Sequence, residues 1–421
     1  MDEAFKRLHS QTDKAFTRVR VLTFNLVLAI ILRKGVKSLQ NSVSEALLSW
    51  LGAGTASASA YSQARYQLRH TAFVELNRQT VVGAMYGDGD YRRFWGLRVL
   101  AVDGSKVALP DTEDVRAEFG TIAYSGGKDN EIQGERPWAL ASVLYDVLNR
   151  VALDAALGEA RAYEVELALG RLAHTREGDL LLMDRNDPSY RMLAEGVRAG
   201  REFVVRGSAA SFATARRMLR GEGPDRQTVT LEPCDGQRAD IQARGLPMAV
   251  RVRFVRVLLP TGEFEVLATS LLDEAKYPAA GFLELYHLRW GVEGFYGVLK
   301  TRLGLDNFTG TGAEAVRQDC HATVYLTGLE SILTADAQAA LDAKETRHAQ
   351  QVNRAVSFNA IKNQALGLLM GGMEAGPLLE RLTELFLQNP TLVRKERKPP
   401  RKKPSDRALL DFHRRRKKHC F

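Results

Sequence analysis

Three carboxylates stand where a strand or a helix would offer them to chemistry. Asp103 ends the apolar run Leu97-Arg98-Val99-Leu100-Ala101-Val102, and Asp184 ends Leu180-Leu181-Leu182-Met183. Glu293 lies in the segment Leu285-Tyr286-His287-Leu288-Arg289-Trp290-Gly291-Val292-Glu293-Gly294-Phe295-Tyr296-Gly297-Val298-Leu299-Lys300. A carboxylate on a buried strand is costly unless it is paired or bound to a metal. Two of them on strands of one mixed sheet can converge at its edge, which suits hard divalent cations with oxygen ligands. Taken singly, an Asp at a strand end is more often a turn former or helix cap.

The segment around Glu293 is more specific. At 100° per residue, Tyr286, Arg289, Glu293 and Lys300 fall within about 60° of one another on a helix. Leu285, Leu288, Val292, Phe295, Tyr296, Leu299 and Leu303 form an apolar stripe beside them. Read chemically, Glu293 joins the two aspartates as a metal ligand, Arg289 and Lys300 clamp phosphates, and Tyr286 bonds or stacks on a nucleotide. Read structurally, the same helix is amphipathic with a solvated Arg289–Glu293 pair. Gly291, Gly294 and Gly297 favour the first reading. Each costs about 1 kcal/mol relative to Ala in a helix, which makes sense where something large must approach closely.

Positioning these groups requires a sheet and helices. Leu97–Asp103, Pro137–Asp146 and Arg150–Leu157 read as strands, the last two joined by a tight turn at Val147–Asn149. A helix over Glu164–His174, a strand over Leu180–Asp184, a helix over Tyr190–Ala199 and a strand over Phe203–Arg206 follow. This order predicts a mixed sheet with packed helices. Residues 208–278 read as a β-rich insertion, with strands at Thr228–Leu231, Met248–Leu259 and Glu263–Thr269. A long helix is expected from Ala279 to about Leu303.

Residues 1–90 read as helical, and Ser57 or Ser59 can cap a helix running from Tyr61 to Leu76. Helix, Gly-bearing turn and a helix carrying Ser, Gln and Arg fit a helix-turn-helix DNA reader as well as an ordinary bundle. The boundaries are then 1–90, 91–207 (first part of the catalytic core), 208–278 (insertion), 279–310 (last core helix), 311–393 (helical, a candidate dimerisation region) and 394–421 (basic tail).

The net charge of +9 sits in that tail. From Arg394 to Lys418 thirteen basic residues face three acidic ones, a net +10, so residues 1–393 carry −1. Such a tail stays extended and partners polyanions, or serves only to solubilise. The longest apolar run, Val21–Leu32, is too short to cross a bilayer, and no signal-peptide pattern precedes it. Cys234, Cys320 and Cys420 lie far apart, with neither a disulfide framework nor zinc spacing. A cytoplasmic, reduced, nucleoid-associated protein without a membrane partner is expected.

Tyr286-x2-Arg289-x3-Glu293-x6-Lys300 resembles the Y-R-E-K signature of the insertion sequence 4 family of bacterial DDE transposases. Val102-Asp103-Gly104-Ser105, Leu182-Met183-Asp184-Arg185, Pro260-Thr261-Gly262-Glu263, Leu267-Ala268-Thr269-Ser270-Leu271-Leu272 and Leu303-Gly304-Leu305-Asp306-Asn307-Phe308-Thr309-Gly310 match that family in order. The resemblance implies an α/β, ribonuclease-H-like mixed sheet interrupted by the β-rich insertion, with helical N- and C-terminal regions. It implies two Mg²⁺ ions, with Mn²⁺ able to substitute, Asp103 bridging both and Asp184 and Glu293 each completing one site. Tyr286, Arg289, Lys300, Trp290 and Arg185 would contact DNA, and an aromatic of the insertion, Phe254 or Phe264, would stack on a flipped base. The family departs here at Arg185-Asn186-Asp187-Pro188, where Arg-Gly and an aromatic are usual. Cut-and-paste transposition through a hairpin, by a homodimer holding both terminal inverted repeats and the target DNA, is the implied activity. A DNA-binding relative without catalysis would lack one of the carboxylates. A nuclease or resolvase that never joins strands would need neither the clamps, the insertion nor the tail.

Overall fold

Helices capped by short polar side chains open the chain. In the computed structural model, which describes residues 2–17, 21–35, 37–52, 55–126, 131–184, 189–259, 261–370 and 375–393, Thr23, Ser38 and Ser57 each accept a hydrogen bond from an amide three residues on. They start α2 (Phe24–Leu32), α3 (Leu39–Leu51) and α4 (Ala58–Tyr66), after the short α1 (Glu3–Leu8). Of the two serines expected as caps, Ser57 is the one used. The helix expected to run on to Leu76 breaks after Tyr66 and resumes as α5 (Thr71–Leu76), a π-turn and α6 (Gly83–Tyr86). The chain divides into two compact units, residues 1–87, 107–139 and 298–421 forming one and 88–106 and 140–297 the other.

The first unit is mainly helical. Besides α1 to α6 it holds α7 (Glu113–Phe119), and β2 (Thr121–Gly126) paired antiparallel with the start of β3 (Glu131–Asp146). Its later helices are α14 (Ala313–Leu333), α15 (Ala335–Asp342), α16 (Arg354–Met370) and α17 (Ala375–Gln388). The N- and C-terminal helical regions, read from the sequence as separate, share one core here, because α14 is buried along most of its length and packs on α2, α5 and α16. Arg65, the cation of the expected DNA-reading helix, turns inward and bonds Asp319, Gln318, Thr309 and the Ala315 carbonyl. An unexpected two-stranded ladder, β10 (Gln350–Val352) with β11 (Pro390–Leu392), closes this region. The basic tail, Gly371-Gly372 and Cys420 lie outside the described residues.

The second unit is built on a sheet in the order β4 (Val151–Glu159), β3, β1 (Arg98–Ala108), β5 (Asp179–Met183), β6 (Glu202–Gly207), β9 (Phe264–Thr269), β8 (Val250–Leu258), β7 (Arg226–Leu231). β1, β5 and β6 run parallel, and β9, β8 and β7 add antiparallel. β5 is buried throughout, as a central parallel strand must be. The mixed sheet expected of a ribonuclease-H-like core is therefore present. The insertion between β6 and the last helices continues that sheet as three further strands, with α10 (Ala213–Leu219) and α11 (Asp235–Ala243) between them. Helices α8 (Glu164–Arg171) and α9 (Tyr190–Arg198) follow β4 and β5.

The last helix differs from expectation. It is broken into a 3₁₀ turn, α12 (Phe282–His287) and α13 (Trp290–Gly297), and the chain continues as a π-turn over Val298–Arg302. Between α12 and α13 the amides of Leu288, Arg289, Gly291 and Val292 bond carbonyls three residues back. That tightening is the usual local cause of a break in a helix ladder.

Candidate active site

Register places the first two carboxylates side by side. Ala101 pairs with Leu182 at the end of the parallel β1/β5 ladder, and the register runs on towards Asp103 and Asp184, two residues further along each chain. Side chains alternate along a strand, so both leave the same face of the sheet. Met183 pairs with Val205 on β6, which extends the row by one strand to Arg206. Arg206 lies opposite Leu267 of β9, and Glu265, two residues from Leu267, shares that face.

Two tyrosine hydroxyls stitch the Glu293 segment to this row. Tyr286 donates to the Met183 carbonyl (3.2 Å), one residue before Asp184. Tyr296 donates to the carbonyls of Asp103 and Ala141 (2.9 Å each). Phe295 packs on Tyr145 with ring centroids 4.6 Å apart. Gly291 faces Val147, where a Cβ would stand 3.3 Å from the valine Cβ, whereas Gly294 and Gly297 have open space before them.

Arg289 is the electrostatic centre of the cluster. It is 4% exposed, its Nη2 donates to Glu293 Oε1 at 2.9 Å, and its buried Nε has no hydrogen-bond partner among the described residues. Its guanidinium lies 5.0 Å from the Trp290 ring centroid and 5.9 Å from that of Tyr286. Burial pulls its pKa down, but Tyr286, Asp184 and Glu293 outweigh this and hold the charge firmly. Asp103 is pushed up to about 6 by burial, then by the charges of Glu164 and Glu293, against the Gly104 amide and Arg289. Burial likewise raises the hydroxyl of Tyr286.

The site residues read from the sequence separate into groups. Asp103, Asp184, Glu293, Tyr286 and Arg289 all lie in the second unit; Arg289 feels Tyr286, Asp184 and Glu293, and Asp103 feels Arg289 and Glu293. Tyr286, expected to meet a nucleotide, is instead 3% exposed and bonded to the backbone beside Asp184. Trp290 is 49% exposed. Lys300 belongs to the other unit, on the π-turn, where burial lowers its pKa against the pull of Asp306. Arg185 lies outside the described residues. Of the two insertion aromatics, Phe254 is fully buried on Phe212, and Phe264 is 44% exposed beneath Arg256.

Sequence reasoning missed three charged neighbours. Glu164 starts α8 and its carboxylate lies against Gly104, so that a Cβ there would collide with it. Arg206 forms an ion pair with the buried Glu265 (2.7 Å). Burial raises the Glu265 carboxyl, with Arg206, His287 and Arg289 opposing and Asp184 adding to it. The only signal for Arg206 was its place at the end of an apolar strand, the same signal that marked Asp184.

The donor set is all oxygen, and Asp103 carries repulsion that a divalent cation would relieve, which fits hard cations. Among the described residues no group of three acidic, imidazole or thiol side chains is arranged to hold a metal ion, Asp103, Asp184 and Glu293 included.

Comparison with known proteins makes the family assignment. Residues 94–326, more than half of the chain, match the family model of the transposase DDE domain, and the chain belongs to the DDE transposases of the insertion sequence 4 family. It is 25% identical over 255 residues to the transposase InsG for insertion sequence element IS4 of Escherichia coli (strain K12), a match covering 60% of this chain. The chain spans 54% of the length of that curated relative. A cryo-EM structure of a piggyBac transposase synaptic complex with hairpin DNA aligns over 86% of this chain and 75% of its own, at 9% identity and a TM-score of 0.45.

Proposed function

We propose that this protein cuts and rejoins DNA at the ends of an insertion sequence by phosphoryl transfer, with Asp103, Asp184 and Glu293 holding two Mg²⁺ ions, for which Mn²⁺ can substitute. What supports this reading is the β1/β5 register running on towards Asp103 and Asp184, together with the bonds from Tyr286 to the Met183 carbonyl and from Tyr296, on the helix of Glu293, to the Asp103 carbonyl. When bound, the metal ions supply a lowered pKa for water and stabilisation of charge at the phosphodiester.

This chain's own residues do the rest. Arg289, whose buried Nε has no hydrogen-bond partner among the described residues, is assigned a phosphate contact. Arg206, level with Asp184 and on the same face, offers a second cation. Lys300 is assigned a third phosphate contact from the signature alone. Tyr286 positions the strand end rather than touching DNA. Trp290 and the open Gly294 and Gly297 provide an exposed edge along which a DNA backbone can lie. Phe264, the exposed aromatic of the insertion, is assigned the base-stacking role.

Water attacks the phosphodiester at the end of the element and frees a 3′-hydroxyl. That hydroxyl attacks a phosphodiester of the opposite strand, which seals a hairpin and releases the flanking DNA; a second water opens the hairpin, and the regenerated 3′-hydroxyl attacks target DNA. A homodimer holds both inverted repeats, and the basic tail and N-terminal helices add phosphate contacts. Among the described residues no helix is long and apolar enough to cross a membrane, and a cytoplasmic, nucleoid-associated location is proposed.

The test is incubation with Mg²⁺ and linear DNA carrying the terminal repeats found beside the coding region. Released ends, hairpins and joined target support the proposal. Binding without any cleavage would favour the alternative of a catalytically inactive, domesticated DNA-binding relative.

A further inference from the structure

The insertion does more than widen the sheet. Its strand β9 brings Glu265 to the face that carries Asp103, Asp184 and Arg206, so four charged residues line one face across four adjacent strands. Glu265 is 7% exposed, a costly place for a carboxylate unless it is paired. Its Oε1 meets Arg206 Nε at 2.7 Å, while the Arg206 side chain remains 31% exposed. The pair therefore joins a buried anion from the insertion to a cation whose far end reaches solvent beside Asp184.

We infer that Glu265 is a positioning residue: it holds the Arg206 guanidinium level with Asp184 and offsets its charge until a DNA phosphate arrives. The inference rests on the proposed phosphoryl-transfer reading. An arginine bound through Nε keeps its two terminal nitrogens for a bidentate partner, whereas an unanchored arginine samples many rotamers and loses the alignment a reacting phosphate needs. Electrostatics around the pair agree, since Glu265 also feels Arg289, His287 and Asp184, and Arg206 is felt by Tyr286. The insertion thus supplies a carboxylate that orders the core site without being placed among the metal ligands.

Glu265→Gln, nearly isosteric, separates positioning from folding. Removing a negative charge beside a phosphate path should tighten DNA binding, by about threefold at low salt, while misalignment of Arg206 slows cleavage by about tenfold at saturating DNA. A role confined to stability would not produce opposite changes in affinity and rate. Because Glu265 acts through Arg206, adding Glu265→Gln to Arg206→Met should slow cleavage no further. The proposal is overturned if E265Q cleaves at the wild-type rate, or if the two effects multiply. Should E265Q fold poorly, Glu265→Asp keeps the charge, and full cleavage by that variant with loss in Arg206→Met supports the same assignment. A wild-type protein that binds but never cuts sinks the catalytic reading instead, and unchanged affinity of E265Q would then overturn this inference independently.

Discussion

Tyr296 donates its hydroxyl to the carbonyl of Asp103, at 2.9 Å, and shares it with the carbonyl of Ala141. The helix that carries Glu293 is thereby tied to the backbone of Asp103, its partner in the proposed metal site. Tyr296→Phe removes both of these bonds, one of them buried, and should cost about 1–3 kcal/mol. Denaturant unfolding reads that loss. Cleavage by the folded fraction should also fall, because the spacing of Glu293 from Asp103 is no longer fixed. Unaltered cleavage would mean that the tie is structural only.

At the opposite end of the same strands, Arg98 and Asp179 form a buried bidentate pair, with both bonds at 2.7 Å. Asp179 also accepts from the Arg176 amide. Asp179→Asn unbalances a buried charge and should destabilise by about 3–5 kcal/mol. Thermal unfolding checks this. Activity per folded molecule should stay near wild type, since the pair stands at the start of β1 and β5, whereas Asp103 lies in the middle of β1 and Asp184 just beyond the end of β5.

Gly104 and Glu164 compete for one space. Gly104→Ala would push the Glu164 carboxylate aside, a cheap shift for stability because the displaced group is the end of a flexible side chain. Loss of that carboxylate from beside Asp103 should slow cleavage. If displacement of Glu164 is the cause, the double variant with Glu164→Ala should be no slower than Glu164→Ala alone. Multiplying effects in rate measurements would point to the backbone of Asp103 instead.

Lys362 is largely buried, and its Nζ donates to the Lys34 carbonyl at 2.7 Å. Burial, reinforced by the charge of Lys34, lowers its pKa from 10.5 to about 8. The folded state therefore binds the proton less tightly than the unfolded chain does. The penalty is complete below pH 8 and is relieved as pH rises from about 8 towards 10.5, so stability from this group increases across that window. At about 1.4 kcal/mol per unit the relief is roughly 3–4 kcal/mol. Lys362→Met should be the more stable protein at pH 7, and its advantage over wild type should shrink by pH 10 in paired denaturation curves.

Much of this was legible in the sequence because apolar runs and the charges that end them are local. The strands before Asp103 and Asp184, the turn before Arg150 and the strands of the insertion all follow from short-range pattern. Their partners do not. That Arg206 stands level with Asp184, and that Glu265 shares their face, depends on register between strands far apart in the chain. A helical wheel placed Tyr286 beside Arg289 but could not tell whether the phenol meets solvent or a backbone carbonyl. The same wheel assumed one continuous helix to Leu303, whereas tightened turns at Leu288–Val292 and a π-turn at Val298–Arg302 divide it. Nothing local marks Asp319, 254 residues away, as the buried partner of Arg65.

The central claim is that Asp103, Asp184 and Glu293 act together on a phosphodiester. The most direct measurement is Mg²⁺-dependent cleavage of DNA bearing the terminal repeats, run alongside binding of the same DNA, for wild type, Asp103→Asn, Asp184→Asn and Glu293→Gln. All three variants should bind at least as well as wild type and lose cleavage by about a thousandfold or more, the scale on which removing a member of a cooperating catalytic set acts. Cleavage at the wild-type rate by any one of them would contradict the assignment of that residue, and by all three would contradict the account.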